Sequence, residues 1–230
     1  MNPIGPGSRF RYLIDIIVLI AVVIGIDAAA GAIYQPRTME GGYVFALIVQ
    51  MLEVAAAWLL IRLRGETLPD IGLRRPKSWP RTFGIAVAVA AIFFAGIYLS
   101  ERAGFHRDLS RFAALQGNLR LALVGVCYVL IGAGFYEEFM FRGFLMQSLA
   151  MLFGQSRVAW GTALVIQAVL FGALHAYQNP LGMLITGTLG ALLGLLVILS
   201  GRNLWPAIIG HGLFDASRMI LFYFHGTPHS

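Results

Sequence analysis

Charge is what this chain has least of. Of its 230 residues only 12% are charged, while 58% are hydrophobic. A soluble domain carries about 25% charged residues. Mean hydropathy is +0.76. These figures exclude a soluble domain with a large core and point to a polytopic membrane protein. Cysteine is almost missing as well. The single one, Cys127, has no partner for an intrachain disulfide. It lies in an apolar run, which does not favour a thiolate catalyst, so a small core residue is expected there. No cleavable signal peptide is evident. The first apolar run, about 13–33, is too long for a signal core and contains Asp15 and Asp27, so it is expected to be the first span. No soluble domain, low-complexity segment or clear internal repeat interrupts the chain. It reads as a single transmembrane domain over residues 1–230.

What the chain does have is long apolar runs, at about 13–33, 43–61, 82–100, 119–152, 158–177, 181–200 and 204–224. A backbone in lipid must satisfy its own hydrogen bonds, so every run is expected to be helical. The fold class is all-α, a membrane helical bundle of seven, or at most eight, transmembrane helices. Run 119–152 would be about 50 Å long as one helix, against ~30 Å of hydrocarbon. It is either one long tilted helix or two pieces broken near Gly132 and Gly134. An eighth helix would come from that break, or from residues 106–118 lying in the interface. "GTLGALLG" in the sixth run places Gly190 and Gly194 on one face, which suits close helix packing.

The net charge is +6, but the basic residues cluster at the ends of the apolar runs. There they act as topology signals and contacts to anionic lipid rather than to nucleic acid. With the N-terminus inside and seven spans, Arg9, Arg11, Arg62, Arg64, Arg74, Arg75, Lys77, Arg81, Arg157 and Arg202 fall on the cytoplasmic side. Arg37, Arg102, Arg107, Arg111 and Arg120 fall outside. The excess favours a cytoplasmic N-terminus.

The second half of the chain buries ionisable residues in these runs: Glu137, Glu138, Arg142, His175, His211, Asp215 and Arg218. Each costs at least about 2.5–3.5 kcal/mol on insertion scales. Glu138 and Arg142 are four apart, share a helix face and can pair. Glu137 points about 100° away and is the carboxylate left for proton chemistry. His175 ends "FGALH", on the face of Phe171 and Gln167. His211 and Asp215 are again four apart, with Arg218 on a similar face. Singly, each has a structural reading: an ion pair, a histidine bonded to a carbonyl, a histidine beside its acid. All seven together favour a functional site, because desolvating so many groups for packing alone gains little. Asp15, Asp27 and Glu53 are scattered over the first two spans and read as helix-end or structural contacts. His175 near the end of its run and Glu137 in the middle of another need tilted helices or a water-filled chamber to share a site.

Several proteolytic chemistries leave recognisable spacings, and three are missing here. There is no Gly-x-Ser-Gly loop, no His-Glu-x-x-His and no Gly-x-Gly-Asp. Present instead, in order, are "EEFMFR" at 137–142, "FGALH" at 171–175 and "HGLFD" at 211–215. In these three motifs the chain resembles the CPBP family, the CAAX proteases and bacteriocin-processing enzymes. The "IGLRRP" stretch at 71–76 is similar to bacterial members. Residues 1–118 otherwise match only as hydrophobic spans. The resemblance implies a glutamate-type intramembrane endopeptidase with its catalytic motifs in 119–224.

By motif, Glu137 would activate water and His175 would hold or help deprotonate it. Glu138 with Arg142 would brace the site, and His211 with position 215 would stabilise the oxyanion. The prenyl protease carries asparagine where this chain has Asp215. An ionised aspartate accepts but cannot donate to an oxyanion. Asp215 is therefore expected to bond His211 and favour the imidazolium, a stronger donor, or to be neutralised by Arg218. No cofactor and no metal are expected, although Glu, two His and Asp are donor types that zinc takes, and a zinc-dependent version of the same protease is the alternative. The expected partners are a membrane-associated peptide or protein substrate and the lipid bilayer, with no nucleic acid. A prokaryotic plasma membrane is implied by resemblance. Two readings from other classes compete. One is a non-proteolytic partner in bacteriocin immunity or regulation. The other is a transporter or proton channel using the same carboxylates, against which the lack of an obvious inverted repeat or broken helix pair argues.

Overall fold

The computed structural model describes residues 6–227, and these form helices and connecting loops without a strand. Helix α1 is Pro6–Ile33, α2 is Met39–Leu63 and α3 is Trp79–Arg102. Then α4, Leu119–Val129, runs without a break into a π-helical segment, Leu130–Leu145, and on into α5, Met146–Leu152. The remaining helices are α6 (Arg157–Ala173), α7 (Asn179–Leu199) and α8 (Trp205–His225). Every apolar run of the sequence has yielded a helix. Five are long and apolar enough to cross a membrane: α1, α2, α3, the continuous 34-residue rod Leu119–Leu152, and α7 with its preceding turn. Helix α6 is apolar but has 17 residues, and α8 has 21 but carries His211, Asp215 and Arg218.

Local chemistry sets several helix starts. Thr38, Asn118 and Ser156 each accept a backbone N–H of the first turn, at 3.0–3.1 Å, the usual N-cap arrangement. Between α6 and α7 the chain breaks at "HAYQNP". Residues before proline avoid the helical region, and Asn179, preceding Pro180, has φ 70°. His175 therefore lies just past the end of α6, at the start of a single tight turn.

The long run 119–152 is a single rod, and residues 106–118 make only a short 3-10 turn, Ser110–Leu115. Neither adds a helix of spanning length. The rod's middle is wound more loosely than an α-helix: Met146 N–H donates to Phe141 C=O, five residues back. Such widening is rare and gathers at functional sites.

Helix α8 and the π segment occupy the middle of the bundle. Helix α8 packs on α3, the π segment, α4 and α7. Helix α6 packs on α7 and α5, and α1 covers α2 and α5. The rod is 39% buried over its most apolar stretch and α1 only 11%, so the rod is central and α1 peripheral.

Loop 64–78 is fastened to the turn between α7 and α8. Leu204 N–H donates to Gly72 C=O at 3.0 Å, Asn203 donates to Arg74 C=O at 3.0 Å, and Gln147 donates to Ile71 C=O. Gly72 has φ 98°, and a Cβ there would stand 2.5 Å from the Arg202 carbonyl. "IGLRRP" is thus a structural latch.

Two expectations change. Cys127 is exposed rather than a core residue, because this part of α4 turns that face out of the bundle, where an apolar side chain meets lipid. The small face of Gly190 and Gly194 does more than pack, as the site geometry makes clear. Asp15 faces Arg64 at 3.5 Å and Glu53 accepts from Tyr136, so both make structural contacts.

Candidate active site

The two glutamates stand where the rod is widest. A Cβ on Gly134 would lie 3.1 Å from both Gly212 Cα and the Ile208 carbonyl. Two facing glycines thus let the π segment and α8 touch backbone to backbone. That approach carries Glu138 to His211.

Glu138 is fully buried. Its Oε1 accepts from Arg142 Nη1 at 2.7 Å and from His211 Nδ1 at 2.8 Å. Arg142 is fully buried too. Its Nη2 donates to Gly190 C=O at 3.0 Å, and its guanidinium lies 4.4 Å from the centre of the Phe171 ring. Gln167 Nε2 donates to the same Gly190 carbonyl at 3.0 Å. Residue 190 must be small: a Cβ there would come within 2.9 Å of Phe171 and 3.3 Å of Arg142. The i, i+4 pair expected between Glu138 and Arg142 forms, and α7 and α8 hold it from two sides.

Glu137 takes no part in that pair. Its carboxylate faces His211 Nε2 at 3.9 Å, and Asp215 faces the same nitrogen at 3.6 Å. One imidazole thus stands among three carboxylates, with Nδ1 committed to Glu138 and Nε2 turned to Glu137 and Asp215. His175 Nδ1 is 2.7 Å from the Phe171 carbonyl. A carbonyl only accepts, so Nδ1 carries the hydrogen and Nε2 keeps a lone pair. The carbonyl-bonded reading of this histidine holds, and it leaves a basic nitrogen.

Glu137, His175, His211 and Asp215 all line one cavity of about 140 Å³, room for several waters. The distance problem between His175 and Glu137 is resolved by this chamber. It lies toward the end of the bundle that carries loops 103–118 and 174–178, since Arg107, Phe112, Tyr177 and Gln178 also line it.

Arg218 does not neutralise Asp215. Its Nη2 donates to Glu101 of α3 at 2.9 Å, because the two helices pack together and bring that acid closer. Glu101, Arg107, Tyr128 and Tyr177 are site neighbours that sequence reasoning missed. Arg107 was legible only as a loop charge, Tyr177 only as the last residue of an apolar run, and Gln178 only as part of the gap before the next run. Burial lowers the pKa of Arg107 from its ordinary value, and the nearby cation Arg218 adds to this; an arginine remains charged regardless.

The zinc alternative fits poorly. Among the described residues no three His, Cys, Asp or Glu side chains converge as a set that could hold an ion.

Comparison with known proteins gives one match. Residues 119–217 match the family described as Type II CAAX prenyl endopeptidase Rce1-like, the intramembrane protease family that the motifs resemble. The matched stretch contains all three motifs. No curated protein and no solved structure matches the chain.

Proposed function

We propose, starting from the protease-family match over residues 119–217, that the chain is a glutamate-type intramembrane endopeptidase acting on a membrane-associated peptide. One observation carries the reading. Of two adjacent glutamates, Glu138 holds both Arg142 and His211 through one oxygen, while Glu137 faces the cavity with no hydrogen bond to either. A free carboxylate beside an imidazole is what activation of water requires.

In this reaction Glu137 takes a proton from a water in the cavity. The resulting hydroxide attacks the carbonyl carbon of the scissile peptide bond. His175 Nε2 accepts a hydrogen bond from that water and aims it. Protonated His211 Nε2 donates to the oxyanion, with Nδ1 anchored on Glu138 so that the ring cannot turn. Asp215 orients the same ring from the other side. The proton on Glu137 passes to the leaving amine as the C–N bond breaks, giving a carboxylic acid and an amine. Glu138 and Arg142 position the ring and touch no reacting atom.

The same reading treats the chain as a single transmembrane domain with seven crossings, its N-terminus cytoplasmic, in a prokaryotic plasma membrane. Its ten basic residues at the end carrying the N-terminus and loop 64–78 favour that orientation over the five at the other. The cavity then opens away from the cytoplasm.

The test compares peptide termini in membranes from cells expressing wild type and Glu137→Gln at equal levels. Termini made only by the wild type are expected. Identical termini, with both proteins folded and the wild-type phenotype kept by the variant, would instead indicate a non-proteolytic partner.

A further inference from the structure

The cavity holds a cation that the proposed reaction does not use. Arg107 sits in the loop between α3 and the 3-10 turn and lines the same chamber as Glu137 and Asp215. Its one hydrogen bond to a side chain is long, from Nη1 to the neutral Gln178 Oε1 at 3.4 Å. Its Nε–H is buried with no partner. Among the described residues it forms no ion pair with a carboxylate. Glu101, a carboxylate whose charge acts on it, is taken by Arg218 at 2.9 Å. The charge acting most strongly on Arg107 is that second cation, ahead of Glu101 and Asp215. A half-buried guanidinium beside another guanidinium, with one neutral acceptor, is poorly compensated. Burying such a charge is costly unless something anionic completes it. Leu109, Phe112 and Phe222 give the wall at this end an apolar part, beside the polar Tyr177 and Gln178 and the second cation Arg218.

We infer that Arg107 is a substrate-binding residue that takes a carboxylate of the peptide, through a charge-assisted hydrogen bond beside the apolar wall of Leu109, Phe112 and Phe222. This rests on the endopeptidase reading of the cavity. The carboxylate comes either from the peptide's own C-terminus or from an acidic side chain at fixed distance from the cut. The apolar part of the wall suits the side chains of a peptide end, with the cut at Glu137 and the anion at Arg107. Gln178 positions the guanidinium from the start of α7.

The test uses protein reconstituted in liposomes with three pools of mixed-sequence apolar peptides. The first has free C-termini and no Asp or Glu. The second is the same pool amidated. The third is amidated and carries one internal Glu. Cleavage is read by mass spectrometry, and binding is read separately with fluorescent versions on the inert Glu137→Gln protein. Wild type is expected to prefer the first pool if the terminal carboxylate is bound, or the third if a side chain is. Arg107→Gln is expected to raise KM for the preferred pool about 10- to 100-fold, the value of a charge-assisted bond, with kcat little changed. Arg107→Lys is expected to recover part of it. Phe105→Ala, in the same loop but exposed and outside the cavity wall, keeps the cation and retains the preference, which guards against a loss caused only by a disturbed loop. Equal cleavage of all pools, or a preference unchanged in Arg107→Gln, would overturn the inference and leave the protease reading standing. Arg107-dependent binding of an acidic pool that is never cut would do the reverse. Neither binding nor cleavage of any pool would overturn both.

Discussion

One oxygen of Glu138 accepts from both Arg142 and His211, inside a fully buried pair. Removing its charge leaves a guanidinium buried without compensation, and breaking such a pair costs about 3–5 kcal/mol. Glu138→Gln is therefore expected to unfold at a clearly lower temperature than wild type in detergent, whereas Glu137→Gln, which loses only a 3.9 Å contact to His211 and no hydrogen bond to it, is expected to unfold close to the wild type. Equal melting of all three would remove the bracing role from Glu138. Sequence spacing found half of this arrangement. The i, i+4 rule gives Glu138 with Arg142, and it also points His211 toward Asp215. Yet the shortest polar contact of His211 is with Glu138, 73 positions away, and Arg218 finds Glu101, 117 positions away. Spacing speaks only of neighbours on the same helix. Which of several buried charges meet is decided by helix packing, and apolar runs in lipid carry little sign of it.

The π segment and α8 form the element on which the site depends. Gly134 meets α8 backbone, whereas a Cβ on Gly132 would meet the Gln50 side chain, at 2.9 Å from Oε1. A side chain can swing away and a backbone cannot. Gly134→Ala is expected to push α8 from the rod, at a cost of about 1–3 kcal/mol, and to lose most turnover as Glu138 and His211 separate. Gly132→Ala is expected to keep most of it. Peptide cleavage by the two purified variants, with melting curves as controls, measures the difference. Similar activities would show that the glycine contact does not set the site. The existence of every helix was legible, because each apolar run ends in polar or proline-containing punctuation. Whether the 119–152 run breaks was not. A continuous greasy stretch with glycines fits a broken helix and a widened one equally, and only a hydrogen bond such as Met146 to Phe141 separates them.

At the scale of the whole molecule, the latch of loop 64–78 on the α7–α8 turn lies at the basic end, and the cavity lies toward the other. In a Cys127→Ser background, a membrane-impermeant thiol reagent applied to intact cells is expected to label Ser110→Cys directly. Arg75→Cys is expected to react only after permeabilisation. The opposite pattern would turn the molecule over and open the cavity to the cytoplasm. The local pairing of Glu138 with Arg142 has a consequence for biogenesis. The rod leaves the ribosome before α7 and α8 exist, so the Gly190 carbonyl and His211 reach it only after 48 and 73 further positions have been added. An arginine and a glutamate inserted singly would each meet the cost of bare charge in lipid. Joined one turn apart on the same helix, they enter as a pre-neutralised unit. The nascent chain carries its most expensive residues into the bilayer already matched, ahead of the helices that will later put them to use.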